Sequence, residues 1–97
     1  MTLAEIVNAL DIQNDSDVVY AARIDGEWRA QSPANVVAVG ENPSSELQGK
    51  DYFLEVWLIK EIIEVAQQWS CETGLSLARR VEAAIYYATH DAYIPVP

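Results

Sequence analysis

Leu3, Ile6, Val7 and Leu10 fall at the three-and-four spacing of one helical face, with Thr2 and Glu5 in capping-box positions. A short helix over 3–10 is the first expected element. The polar run from Asp11 to Asp17 ends it in a loop. Val18 to Ile24 is rich in β-formers and leads into Asp25-Gly26, a frequent tight-turn pair because glycine takes positive φ without steric cost. Glu27 to Gln31 fits either a return strand or an irregular connection towards Ser32-Pro33, and periodicity does not choose between them. Asn35 to Gly40 is a second β-branched run and reads as a buried strand.

Glu41 to Lys50, with Asn42-Pro43-Ser44-Ser45 and Gly49, reads as an exposed loop too short to be a domain linker. Tyr52 to Val56 has strand character, whereas Leu58, Ile62, Val65 and Trp69 step by four, three and four along a helix. A strand running into a helix near Trp57 is expected; the alternative is one helix from Asp51 to Trp69. Thr73-Gly74 breaks the chain, Ser76 is a candidate cap, and Leu77, Val81, Ala84, Ile85 and Ala88 form another helical stripe. So short a join makes the last two helices antiparallel neighbours. Tyr93 to Pro97, broken by prolines, is expected to run extended. The fold class is therefore α/β of the α+β kind: one domain over 1–97, with a sheet of about three strands, an N-terminal helix and two antiparallel C-terminal helices.

Composition agrees with a globular domain, since 51% of the 97 residues are hydrophobic, three Trp and five Tyr among them, enough for one core. The N-terminal residues lack a basic region followed by an apolar run, and no stretch approaches the roughly 20 apolar residues that span a bilayer. A cytoplasmic, unprocessed protein is the expectation. The lone Cys71 makes no internal disulfide, in keeping with a reducing compartment. Charge narrows the partners further: fifteen acids against six bases give a net charge of −9. Such a surface repels nucleic acid and anionic membrane, and steers a basic protein towards it. A need for solubility would by itself produce the same excess.

Chemistry is sparse. One His90 and one Cys71 do not make a zinc site, Asn14-Asp15-Ser16-Asp17 lacks the rest of a calcium loop, and the four glycines are too scattered for a phosphate cradle. No metal and no cofactor are expected. His90-Asp91 resembles an acid–imidazole pair, yet residues one apart on a helix do not face each other, and a histidine near a helix C-terminus is favoured by the helix dipole. Glu61 and Glu64 share a helix face, but beside Lys60 and Glu55 they look like a solvated surface. With no complete constellation the chain is read as a non-enzyme. Arg79-Arg80 is too short for a nucleic-acid patch. Trp28, between Glu27 and Arg29, fits two roles: a lid folded onto the sheet, which is favoured, or an exposed interface anchor.

The stretch Ala84-Ile85-Tyr86-Tyr87-Ala88-Thr89-His90-Asp91-Ala92-Tyr93-Ile94, with Leu54-Glu55-Val56, Ile62-Ile63-Glu64, Gln67-Gln68 and Trp28 upstream, resembles a family of short bacterial domains. Their genes occur among those of interbacterial competition and mobile elements, and they share a paired-tyrosine helix and an Asp-Ala-aromatic turn. The likeness runs from Val18 onward and departs at the N-terminal helix and the Pro-Val-Pro tail. It implies an α/β fold and a competition context without a mechanism. In that context an acidic domain without chemistry is expected to be an immunity protein, binding a basic, nuclease-type toxin in the cytoplasm, as in contact-dependent growth inhibition. The expected contacts are Asp25 and Glu27 around Trp28, Asp51, and Glu61 with Glu64. Alternatives are a phage-type nucleic-acid mimic that inhibits a host nuclease, a small enzyme or ligand-binding domain, and an oligomer joined through Tyr86, Tyr87 and Tyr93.

Overall fold

A computed structural model describes residues 1–38, 49–69 and 75–93. Helix α1 (Leu3–Asn8) begins with the capping box expected of Thr2 and Glu5. Its first four N–H groups have no partner within the helix and must find one elsewhere. All four do: Thr2 N–H donates to Glu5 Oε1 at 3.1 Å and Glu5 N–H to Thr2 Oγ1 at 3.2 Å. Leu3 and Ala4 donate to the carbonyls of Ser32 and Ala30 at 3.0 and 2.9 Å. The cap therefore also docks the helix on the connection that precedes the second strand. Leu3, Ile6 and Val7 are buried, and a 3-10 turn over Leu10–Ile12 carries Leu10 into the same core.

Three strands form an antiparallel sheet of order β2-β1-β3, with β1 (Val18–Ala21) between β2 (Ala34–Val37) and β3 (Asp51–Glu55). Val19 pairs with Val36 on one side and Leu54 on the other. Tyr20 then pairs with Tyr52, so Phe53 is the extra residue of a β-bulge. The bulge breaks strand alternation and lets consecutive residues, Phe53 and Leu54, both enter the core at 2% and 4% exposure. Strand β1 stops at Ala21, short of the expected Ile24. The Ala21 carbonyl there accepts the indole N–H of Trp28 at 3.1 Å, while the chain reverses on itself at Asp25-Gly26. Of the two readings of Glu27 to Gln31 the irregular one holds, apart from a single bridge between Ile24 and Glu27. Val39 and Gly40, the rest of the expected second strand, lie outside the described residues, as do most of the 41–50 loop, Cys71 and the proline tail.

The strand-to-helix reading of 51–69 is correct, and the change comes at Glu55/Val56, where α2 (Val56–Trp69) begins. Val56 N–H donates to the Asp17 carbonyl at 2.9 Å and Trp57 N–H to the Asp15 carbonyl at 3.1 Å, so the 13–17 loop supplies the cap from its own backbone. The buried stripe of α2 is Val56, Ile59, Ile62 and Ile63, rotated from the expected one: Leu58 and Val65 are only half-buried. Apolar residues surround so much of this helix that spacing alone misplaces the centre of its face.

Ser76 caps α3 (Leu77–His90) by accepting the Arg79 N–H at 3.2 Å, and Asp91 ends the helix in the left-handed conformation. Val81, Ala83 and Ala84 are its buried residues, while Leu77, Ile85 and Ala88 pack at the margin. Burial, and then the Glu61 carboxylate, push the Tyr93 phenol above its ordinary range. Helices α2 and α3 pack against each other.

Trp28 is the lid of this core. Its ring is 9% exposed and meets Phe53 edge-on at 5.1 Å. Truncation to Ala leaves a cavity and an unpaired carbonyl, and Trp28→Ala is expected to cost about 3–5 kcal/mol of unfolding free energy in urea titration. A loss below about 0.5 kcal/mol, the scale of ordinary surface substitutions, would show that the indole is not a core element.

Candidate functional site

Four of the six residues expected to contact a partner meet at one end of the sheet. Asp25 (φ 54°) and Gly26 (φ 83°) are the central residues of a two-residue turn whose flanks, Ile24 and Glu27, exchange backbone hydrogen bonds of 2.6 and 3.1 Å. Positive φ at both positions is what this turn demands, and Asp and Gly tolerate it. The guanidinium of Arg23 lies 4.2 Å over the Trp28 ring and donates to Asp51 Oδ2 at 2.7 Å. Arg29 stands 3.8 Å from Glu27. The three acids here thus share their space with two arginines, which cancels most of their charge. Asp51 and Glu27 are exposed, and pairs at such positions add little to stability.

Glu61 and Glu64 lie elsewhere, on the outer face of α2. Trp57, Glu61, Glu64 and Gln68 are spaced by four, three and four residues, and all are exposed. Trp57 is 49% exposed, a large apolar side chain at the head of a carboxylate stripe. The backbone bonds to Asp15 and Asp17 bring the 13–17 loop against the start of this face, and Lys60 fastens the two together by donating to the Gln13 carbonyl and the Asp15 carboxylate. One turn back along the chain, Ile12 is 84% exposed. Among the described residues, Asp15, Asp17, Glu61 and Glu64 are thus opposed locally by Lys60 alone, so negative charge accumulates here and not around Trp28.

Sequence reasoning missed Trp57, treating it only as a junction. Its signal was present, because 57, 61 and 64 are i, i+4 and i+7 on one face. The face was obscured because the apolar stripe was centred on the wrong residues.

A groove of about 720 Å³ runs between α3 and the 23–30 segment. Val81, Ile85, Ala78 and Ala30 give it apolar walls, and Trp28, Arg23, Glu27, Glu82, Tyr86 and His90 line the remainder. Glu82, Tyr86 and His90 are successive i, i+4 neighbours on α3, and the Tyr86 and His90 rings meet at 4.3 Å with their planes tilted by 39°. Glu27, Glu82 and His90 are solvent-exposed, so the groove encloses no buried acid–imidazole pair. Among the described residues there is no cluster of His, Cys, Asp and Glu able to hold a metal ion, and no helix is long and apolar enough to cross a membrane.

Comparisons with protein-family models, curated proteins and solved structures find no match to this chain. Its surfaces have to be interpreted from their own chemistry.

On the opposite face of the sheet Tyr52 meets Tyr20 edge-on at 6.2 Å. Partial burial, reinforced by the neighbouring Glu55 carboxylate, pushes its phenol up to about 12 from an ordinary 10.0. Because the folded value is the higher one, the folded state keeps a proton that the unfolded chain releases. The associated stability is complete below pH 10 and is lost as pH rises towards 12. Tyr52→Phe is expected to reduce the tyrosinate absorbance phase near pH 12 by the amplitude of one tyrosine, and to flatten the fall in unfolding free energy over that interval. Identical titrations of the two proteins would contradict this assignment.

Proposed function

We propose that this chain is a binding protein of the immunity type, which neutralises a basic protein toxin by occupying its positively charged surface. The observation that carries the reading is the half-exposed Trp57 on the same helix face as Glu61 and Glu64, with the loop that carries Asp15 and Asp17 bonded to the start of that helix. Aromatic anchors supply most of the energy of protein interfaces, and surrounding charge supplies orientation and speed. A single exposed indole is ordinary on a protein surface, and so is an acidic helix face. Together they match a partner that offers an apolar slot rimmed by lysine and arginine.

A toxin that cleaves nucleic acid has such a rim, because it must hold phosphates. Carboxylates that take the place of those phosphates block substrate without any reaction. An antidote of this kind works in the cytoplasm, which agrees with the composition and with the competition context implied by the paired-tyrosine C-terminus. The hairpin acids are secondary in this reading, since arginines already pair with Glu27 and Asp51 and leave Asp25 alone there.

Co-expression with the product of the adjacent open reading frame is expected to rescue growth and yield a one-to-one complex. Trp57→Ala should weaken that complex by about thirtyfold or more, mainly through faster dissociation. The pair Glu61→Lys and Glu64→Lys should slow association by at least about tenfold at low salt and remove most of its salt dependence. Association indifferent to salt in the wild-type protein, or an affinity unchanged by Trp57→Ala, would refute the proposal.

A further inference from the structure

The groove between α3 and the 23–30 segment has a volume within the range of ligand clefts, yet its walls are unlike a purely apolar pocket. One wall already shows how a guanidinium is held at this place. Arg23 places its guanidinium carbon 4.2 Å over the Trp28 ring, and its nitrogen is fixed by the Asp51 carboxylate, so an aromatic face and an acid together retain the cation.

The other wall repeats those components. Tyr86 and His90 form an aromatic surface, their rings in contact at 4.3 Å and tilted by 39°, Glu82 lies one turn before Tyr86 on the same face of α3, and Glu27 stands across the opening. No ion pair involving Glu82 occurs among the described residues. Between them run Val81, Ile85, Ala78 and Ala30, a strip suited to a chain of methylenes.

We propose that this groove is a recognition slot for an arginine side chain of a protein partner. The guanidinium lies against the Tyr86–His90 wall, Glu82 accepts its N–H groups, Glu27, which Arg29 approaches only to 3.8 Å, adds negative charge across the opening, and the aliphatic stem lies along Val81 and Ile85. An anion does not fit, because the guanidinium of Arg23 is already engaged by Asp51 and Trp28 while two carboxylates face the opening. Lysine fits less well, since a compact ammonium lacks the planar fork that an aromatic face and a carboxylate can hold together. The slot rests on the binding-protein reading only for the source of its arginine, and small probes test it separately from the α2 face.

The probes are N-acetyl-arginine amide, its neutral isostere N-acetyl-citrulline amide, and N-acetyl-lysine amide, each titrated into isotope-labelled full-length protein and followed by NMR. The arginine probe is expected to shift Tyr86, His90 and the Trp28 indole N–H saturably, with the citrulline probe binding about tenfold more weakly, as loss of a charge-assisted contact implies. Glu82→Gln, an exposed change that leaves the core intact, should weaken the arginine probe by a similar factor, while Trp57→Ala leaves it unchanged. Equal binding of arginine and citrulline probes, shifts confined to residues 57–64, or indifference to Glu82→Gln would each overturn the slot. A complex with a protein partner that is lost on Trp57→Ala while the probe still binds would show the two sites to be independent.

Discussion

Two backbone hydrogen bonds, from Val56 to the Asp17 carbonyl and from Trp57 to the Asp15 carbonyl, fix where β3 becomes α2. A helix whose first N–H groups are met by another segment cannot rotate about its axis without breaking those bonds. This constraint turns Val56, Ile59, Ile62 and Ile63 into the core and leaves Trp57, Glu61 and Glu64 outside. The same bonds draw the acidic 13–17 loop against the head of the helix, and Lys60 holds the two surfaces in register. The arrangement that makes α2 stable therefore also concentrates charge around an exposed indole.

The net charge of −9 is not evenly available. At the hairpin end, Arg23 and Arg29 face Glu27 and Asp51, and Trp28 is spent on the core, where it caps Phe53 and gives its N–H to Ala21. Across the 13–17 loop and the outer face of α2, one lysine stands against several carboxylates. Long-range attraction follows local excess more than total charge, so in the proposed function it is the α2 face that would steer a basic partner.

Much of this fold was legible in the residues. The Thr2–Glu5 capping box, the Ser76 cap, the Asp25-Gly26 turn and the strand-to-helix change after β3 each have a short-range physical cause, and short-range causes can be read locally. The bulge at Phe53 could not be read, because it depends on how β3 pairs with β1. The lid role of Trp28 was the favoured reading, but what fixes it, an acceptor seven residues earlier at the end of β1, was not visible locally. The candidate site was half legible: Glu61 and Glu64 were found from their spacing. Trp57 went unrecognised because its exposure depends on the rotation of α2, and that rotation is set by a distant loop.

The most direct test of the account is a hydrogen-exchange footprint of the complex with the product of the adjacent open reading frame, compared with the free protein. Protection is expected over the 13–17 loop and the first half of α2, continuous with Trp57 and Glu61, while the outer sheet face at Tyr20 and Tyr52 stays unchanged. A footprint on that sheet face, with the 13–17 loop and α2 exchanging as in the free chain, would contradict it.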